Sequence, residues 1–233
     1  MTSSRSTATA PRRCSSVTRV VTQPALARRA RAHLRRVDPV IARVMEAVGP
    51  YRPGDRTSGT HFLALIRAIV FQQLSGKAAT TILNRFLALF PDGEPTPEGI
   101  LALSDAQLRA VGLSRQKSGY LRDLATKVRT GALPLDHVDT LPDLELITHL
   151  VQVKGIGKWT AQMFLMFKLG RPDVLPDLDL GIQNAIKRAY RKRRVTPKDV
   201  LRIGAKWSPY SSIACWYLWR SLDNGPGQLG TKK

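Results

Sequence analysis

The chain has almost no cysteine. Only Cys14 and Cys215 occur among its 233 residues, one in a Ser/Thr/Arg-rich N-terminal stretch and the other in an apolar segment. Two cysteines so placed can build neither a disulfide framework nor a cysteine-ligated metal or iron–sulfur cluster. The sequence therefore predicts a protein of a reducing compartment whose fold rests on an ordinary side-chain core.

Long hydrophobic runs are also missing. The most apolar stretch, FLALIRAIVF, is interrupted by Arg67, and no run approaches the roughly 18 residues that a membrane span needs. Hydrophobic residues make up 43% of the chain and charged residues 23%, which is the balance of an ordinary globular protein. We therefore expect a soluble chain with no membrane partner.

Acidic residues are scarce. Lys and Arg number 37 against 17 Asp and Glu, so the formal net charge is +20. Residues 1–37 hold nine arginines and no acid, which leaves a charge of +11 (28 basic minus 17 acidic residues) on the remainder. A positive charge this large on residues 38–233 indicates a polyanionic partner, which is more often nucleic acid than an anionic membrane surface.

The first 37 residues have the composition of a basic arm. They are rich in Ser, Thr and Arg and lack the apolar core of a secretory signal, so they are typical either of an organellar transit peptide or of a flexible arm that adds non-specific phosphate affinity. We favour the arm, because composition alone is weak evidence for targeting. The predicted organisation is an arm over 1–37, one domain over 38–223 and a flexible tail over 224–233.

The domain is predicted to be all-α. Apolar residues recur at helical spacing from Pro39 onward, and no segment alternates with a period of two. Ser75, Ser104 and Ser114 are predicted N-caps, and Gly131 is a predicted helix stop. Further helices are expected at about 140–151, 158–169, 180–193, 197–206 and 210–221.

One predicted helix pair is joined by a glycine turn within VKGIGKWTAQMF. Two glycines permit a tight turn and close approach of another molecule, and the second helix presents unpaired N–H groups at the same place. Two flanking lysines add positive charge, whereas the isoleucine is expected to anchor the turn on the core. The alternative is an ordinary helix stop and turn with solvated lysines. We favour a phosphate site formed by Lys154, Gly155, Ile156, Gly157 and Lys158.

An aspartate marks the start of a later predicted helix. Two prolines in GRPDVLPDLD prevent a continuous helix, and LGIQNAIKRAYRKRR then resumes helical spacing. Asp179 thus stands at a helix N-terminus, where the dipole stabilises a carboxylate. Position alone favours a simple N-cap over a catalytic role.

Taken together, LVQVKGIGKWTAQMFLMFKLGRPDVLPDLDLGIQNA resembles the signature of the helix-hairpin-helix DNA glycosylase superfamily. HFLALIRAIVFQQLSGKAA, GLSRQKSGYLRDLA and AKWSPYSSIACWYLWR are most similar to its 3-methyladenine DNA glycosylase II branch, so the likeness runs from about residue 40 to 222. The resemblance implies a compact, purely helical fold with the active-site cleft between two helical lobes.

The resemblance also assigns a catalytic residue. The aspartate of the family falls on Asp179, twenty residues after Trp159, with Asp177 as a near competitor. Family members that also cut the DNA backbone carry a nucleophilic lysine where this chain has Trp159, and an indole cannot form a Schiff base. The resemblance therefore implies a monofunctional enzyme, with Lys158 as a phosphate contact.

Base-pocket and groove-probing residues follow from the same resemblance. Trp159 and Tyr210 match aromatic positions of the family, whereas Met163 stands where some members have tyrosine. In FQQLSGKA, Leu74 takes the place of the apolar wedge that fills the gap left by an extruded base, and Gln73 lies beside it. Each aromatic could instead belong to the core, and so could Leu74.

The implied function is hydrolysis of the N-glycosidic bond of alkylated purines, of the 3-methyladenine and 7-methylguanine type, in base excision repair. The alternatives are a non-catalytic helix-hairpin-helix DNA-binding protein and a glycosylase for deaminated or mismatched bases. We expect a monomer that binds damaged double-stranded DNA and uses no cofactor or metal. Its location would be the bacterial cytoplasm, at the nucleoid, or a eukaryotic nucleus or mitochondrion.

Overall fold

The computed structural model describes residues 23–52 and 58–223. No β-strand occurs in these ranges, which confirms the predicted all-α class, and none of their helices is long and apolar enough to cross a bilayer. The α-helices are α1 (Gln23–Val37), α2 (Pro39–Val48), α3 (His61–Phe71), α4 (Gly76–Leu87), α5 (Pro97–Ala102), α6 (Asp105–Ala110), α7 (Arg115–Arg129), α8 (Asp143–Leu150), α9 (Lys158–Met163), α10 (Leu180–Ala189), α11 (Pro197–Gly204) and α12 (Ser211–Asp223).

The predicted helix signals act as expected. Ser75 and Ser114 each accept a hydrogen bond from a backbone N–H in the first turn of the helix that follows, and Ser104 forms a reciprocal capping box with Gln107. Gly131, with a φ of 74°, follows the end of α7. The serine contacts satisfy N–H groups of the first helical turns that would otherwise lack partners. This explains why these helices begin where the sequence predicts.

The helices pack as two groups around one continuous core. Helices α3 to α9 form a middle lobe, in which α7 packs on α3, α5 and α6, and α8 packs on α9. Helices α1, α2, α10, α11 and α12 form a terminal lobe, in which α12 packs on α2 and α10. The chain passes from the middle lobe to the terminal lobe between α9 and α10. This connection therefore lies at the boundary between the lobes, where the cleft is expected.

Residues 23–37 differ from the flexible arm predicted over 1–37. They form α1, which packs on α2 and α12, and its Ala30 and Leu34 are completely buried. Leu26, Ala30 and Leu34 recur every fourth residue, so a helical apolar stripe runs through the arginines. The packed domain therefore begins by Gln23, not at residue 38; the remaining arm, 1–22, and the tail, 224–233, lie outside the described residues.

A buried carboxylate ties the two ends of the terminal lobe together. Asp38 caps α2 and accepts hydrogen bonds from Tyr190, which follows α10, and from the Trp207 indole at 2.8 Å. The ammonium of Lys206 lies 3.2 Å from the same carboxylate. Burial acts to raise the pKa of Asp38, but these hydrogen bonds outweigh it and hold that pKa below its usual value.

Candidate active site

Asp179 lies where the chain re-enters a helix after the connection between the lobes. Gly170, with a left-handed φ of 69°, ends the helical segment, and Pro172 and Pro176 oppose its resumption before α10. Asp179 then caps α10, because its Oδ1 accepts the backbone N–H of Ile182 at 2.7 Å. The predicted N-cap is confirmed, and its side chain is almost fully buried.

Two indoles bind the same carboxylate. The Nε1–H of Trp159 donates to Asp179 Oδ2 at 2.7 Å, and the Nε1–H of Trp219 donates to Oδ1 at 2.9 Å. With the N–H of Ile182, three donors converge on one side chain, and such donors stabilise its negative charge. Trp159 belongs to the middle lobe and Trp219 to the terminal lobe, so Asp179 stands at the boundary between them.

Trp219 is a site residue that the sequence did not reveal. Gly181 makes its position possible: a Cβ there would lie 3.0 Å from both Asp179 Oδ1 and the Trp219 ring. Tyr210, the predicted pocket residue, instead packs its ring 5.5 Å from that of His33 on α1. No hydrogen bond joins Tyr210 to Asp179 in the described residues, so a pocket role for Tyr210 stays a prediction.

An apolar groove is linked to the carboxylate through Trp219. Helix α9 continues as a π-helix over Phe164–Leu169, and Phe167 on this segment lies half-exposed with its ring 5.8 Å from that of Trp219. The predicted Met163 lines the same groove, and the guanidinium of Arg67 lies 5.6 Å from the Phe71 ring at its edge. The groove, about 220 Å³ in volume, is lined by Ala64, Arg67, Ala68, Phe71, Thr160, Met163, Phe164, Phe167 and Lys168.

The hairpin between α8 and α9 is held by neighbouring helices. Gly155 adopts a φ of 84° over the ring of Tyr120, where an added Cβ would lie only 2.2 Å from a ring carbon, so this position requires glycine. Ile156 is buried in the core, as predicted. The backbone N–H of Lys154 donates to Asp123 Oδ2 at 2.8 Å, which fixes the hairpin to α7.

Gly157 and Lys158 differ in detail from their predicted roles. Gly157 has an ordinary φ of −89°, and a Cβ there would meet nothing within 4 Å, so its own fold does not require glycine. The Lys158 ammonium pairs with Asp177 Oδ1 at 2.7 Å. That ion pair turns Asp177 toward the hairpin and leaves Asp179 as the aspartate between the indoles.

The FQQLSGKA loop lies beside the hairpin. Gln73 has a left-handed φ of 56°, and the Leu74 side chain is 39% exposed between α3 and α4. Leu74 is therefore not a buried core residue, and its role as a wedge stays a prediction. The side-chain amide of Gln72 donates to the Gly155 carbonyl oxygen at 2.7 Å, which joins the loop to the hairpin. The predicted groove-probing and phosphate-binding elements therefore share one face of the middle lobe.

Lys117 supports this loop from α7 and was not identified from the sequence. Its ammonium donates to the carbonyl oxygens of Val70 and Gln72 at 2.6 and 2.7 Å. Partial burial lowers the pKa of Lys117. Because both acceptors precede Gln73, the lysine fixes the backbone from which Leu74 projects.

The family model for HhH-GPD superfamily base excision DNA repair proteins matches residues 66–209 of the chain. The chain belongs to this superfamily. The match contains every predicted site residue except Tyr210, and Trp219 also lies beyond it. Its span includes the hairpin, the FQQLSGKA loop and Asp179.

Curated relatives within the HhH-GPD superfamily carry glycosylase names. DNA-3-methyladenine glycosylase 1 of Schizosaccharomyces pombe is 37% identical over 83% of this chain and 86% of its own length. The putative DNA-3-methyladenine glycosylase YfjP of Bacillus subtilis is 37% identical over 68% of this chain, which spans 58% of that protein. The chain thus spans most of the first relative and somewhat over half of the second.

Solved HhH-GPD structures share the fold. The Schizosaccharomyces pombe 3-methyladenine DNA glycosylase in complex with abasic DNA superposes with a TM-score of 0.73 at 37% identity, covering 82% of this chain and 95% of that one. A DNA-3-methyladenine glycosidase from Bacillus halodurans gives a TM-score of 0.76 at 35% identity, covering 82% and 88%. The predicted compact helical glycosylase fold is confirmed.

Proposed function

We propose that the chain is a monofunctional DNA glycosylase that flips an alkylated purine out of duplex DNA and hydrolyses its N-glycosidic bond. The observation that carries this proposal is the Asp179 carboxylate, held by three N–H donors between two indoles, one of which packs near Phe167 of the apolar groove. A binding module needs neither the carboxylate nor the groove. The names and DNA complex of its HhH-GPD relatives support the same activity.

The groove and the carboxylate suit the chemistry of an alkylated purine. Methylation at N3 or N7 makes the base cationic, so that it departs as a neutral molecule and needs little help from a general acid. The half-exposed ring of Phe167 and the partly exposed ring of Trp219 offer a surface on which an electron-poor ring can stack, a contact worth about 1–2 kcal/mol when desolvated. Asp179 then has to stabilise the positive sugar.

The hydrogen bonds of Asp179 favour an electrostatic role. Oδ1 already accepts two N–H groups, whereas Oδ2 accepts only that of Trp159. A carboxylate whose oxygens are fixed in this way needs no rearrangement to oppose the charge that develops on the sugar, which is the basis of electrostatic catalysis. Oδ2 retains acceptor capacity, so it is the oxygen that we place toward the anomeric carbon or its attacking water.

The hairpin and the FQQLSGKA loop, on one face of the middle lobe, form the DNA-binding surface. We place the lesion-strand phosphates at the N–H groups of the hairpin and the N-terminus of α9, next to the exposed Lys154. Leu74 would enter the gap left by the flipped base, which offsets part of the few kcal/mol, roughly, that unstacking costs. The hydrogen bond from Gln72 to Gly155 joins the loop to the hairpin. The position of the bound phosphates therefore fixes where Leu74 enters the duplex.

Release of free base from methylated duplex DNA tests the proposal. We expect chromatography with mass detection to find 3-methyladenine and 7-methylguanine after incubation, and no free base from undamaged DNA. Duplexes carrying deaminated or mismatched bases serve as a parallel panel. Binding of all duplexes without base release would show a non-catalytic DNA-binding protein, and release confined to the parallel panel would show a glycosylase of different specificity.

Substitution of the two hairpin glycines should separate folding from DNA binding. Gly157→Ala is expected to leave the unfolding temperature unchanged, because a Cβ there enters open space. It should weaken binding to damaged and undamaged duplexes alike, roughly tenfold or about 1.4 kcal/mol, by blocking close approach of a phosphate. Gly155→Ala should instead destabilise the protein, because Tyr120 fills that space. Unchanged DNA affinity of Gly157→Ala would contradict the phosphate site.

Trp159 predicts the absence of strand cleavage. Because no lysine occupies that position and the adjacent Lys158 is paired with Asp177, no Schiff base should form with the abasic sugar. Borohydride reduction during turnover should trap no covalent protein–DNA adduct, and the product strand should remain intact until treated with alkali. A trapped adduct that disappears in Lys158→Arg would show a bifunctional enzyme.

A further inference from the structure

A run of basic side chains lies outside the site described above. Residues 187–194, KRAYRKRR, cover the last turn of α10 and the connection that follows it. Six of these eight residues are basic and none is acidic. We call the six the basic ridge: Lys187, Arg188, Arg191, Lys192, Arg193 and Arg194.

The ridge is not neutralised within the described ranges. Five of its side chains are exposed and Lys192 is partly so, and no carboxylate in residues 23–52 or 58–223 lies within ion-pair distance of any of them. The C-terminal dipole of α10 favours cations only in its last turn. Charges beyond that turn repel one another, which costs folding free energy unless a polyanion binds.

The ridge extends to a neighbouring helix. Arg43 of α2 lines one groove together with Arg188 and Arg191, and this groove has a volume of about 340 Å³. Arg43 is also exposed. Two of the ridge arginines thus share a surface with Arg43, so positive charge extends from the end of α10 to α2.

The ridge and the cleft lie at opposite ends of α10. Asp179 caps the N-terminal end, whereas the ridge begins at the C-terminal end, about 15 Å further along a helix of this length. The hairpin and Leu74 belong to the middle lobe, whereas the ridge belongs to the terminal lobe. The length of α10 therefore separates the ridge from Asp179.

We propose that the basic ridge is a second duplex-binding surface, which holds a DNA segment other than the one in the cleft. This proposal goes beyond base excision but assumes that the cleft binds DNA. The ridge offers charge without an aromatic platform or a hairpin, so it suits phosphates and not base edges. An enzyme that contacts two segments at once can pass between them without free diffusion.

A charge-matched pair of variants isolates the ridge. The ridge variant combines Arg191→Asn with Arg193→Ser and Arg194→Ser; asparagine is chosen because Arg191 has a left-handed φ of 52°. The control variant replaces three exposed arginines by serine at the ends of middle-lobe helices, none of which has a carboxylate partner in the described part of the chain. These control positions are Arg85, Arg109 and Arg129.

Capture of a second duplex is the test. Beads bearing an undamaged duplex are loaded with full-length protein and washed, and a fluorescent duplex is then added at physiological salt. We expect the wild-type and control proteins to retain the second duplex and the ridge variant to retain at least tenfold less. The salt dependence of retention should weaken by about 0.9 in log–log slope for each phosphate that the ridge variant no longer binds. All three should excise base from one short lesion duplex at similar rates.

Two outcomes would overturn this assignment. Retention by the ridge variant equal to that of the wild type would place the second duplex elsewhere. The ridge variant could also lose affinity for the short lesion duplex to the same extent as it loses capture. That result would mean that the ridge binds the same duplex as the cleft. Absence of excision in all three proteins would count against the proposed glycosylase alone, because capture is measured on undamaged DNA.

Discussion

Asp179→Asn is expected to lower the single-turnover rate of base release by about 10³-fold, in the range found for loss of an electrostatic or general-base group. The substitution removes the negative charge but retains an oxygen that can cap α10 and accept from Trp219. Its amide N–H groups would face the Nε1–H of Trp159, so a small loss of stability is also expected. Affinity for a lesion duplex should change little.

The matched control is Asp177→Asn, two residues away. It makes the same chemical change at a buried aspartate, but this carboxylate pairs with Lys158 and not with the two indoles. We expect its rate to stay within about tenfold of the wild type, because the interaction that it removes lies away from the reacting atoms. If the two variants exchanged these phenotypes, Asp177 would be the catalytic aspartate.

Asp38→Ala should be the most destabilising single substitution that we consider. It would leave the Tyr190 hydroxyl, the buried Trp207 indole and the Lys206 ammonium without their acceptor, and it would uncap α2. Removing one partner of a buried charged network costs about 3–5 kcal/mol. Urea unfolding monitored by tryptophan fluorescence measures this loss, whereas Asp38→Asn should recover part of it by restoring an acceptor.

The pH dependence of this network has a definite sign. Because the folded-state pKa of Asp38 is lowered, its contribution to stability is complete above its unfolded value of about 4 and is lost as the pH falls through the folded value. The stability difference between wild type and Asp38→Asn should therefore shrink between about pH 5 and pH 3. A difference that stays constant over this range would show that Asp38 is not ionised in the folded protein.

Much of the fold followed from the sequence because its signals are local. Serine caps, a stop at Gly131 and helical spacing predicted helix starts and ends that the structure confirms. The predicted helix over 180–193 ends earlier, at Ala189, because Arg191 turns to a left-handed φ. Helix α1 was missed because its composition suggested a solvated arm, although Ala30 and Leu34 show helical spacing.

The site was predicted less completely because it depends on contacts between distant segments. Asp179 could be singled out by its position and by the family resemblance, but Trp219 could not. Helix α12 and the residue before it carry four aromatic residues, and only the packing of that helix on α10 decides which one reaches the carboxylate. The ion pair of Lys158 likewise joins residues nineteen positions apart, and no spacing rule predicts it.

A crystal structure of the Asp179→Asn variant with a duplex that carries a single alkylated purine would test the central claim most directly. The decisive measurement is the distance from the side chain at position 179 to the anomeric carbon of the damaged nucleotide. We predict about 3–3.5 Å, with the base flipped onto Phe167 and Trp219 and with Leu74 in the vacated stack. A lesion that stays stacked in the duplex, or an anomeric carbon more than about 10 Å from this side chain, beyond any direct or one-water contact, would contradict the account.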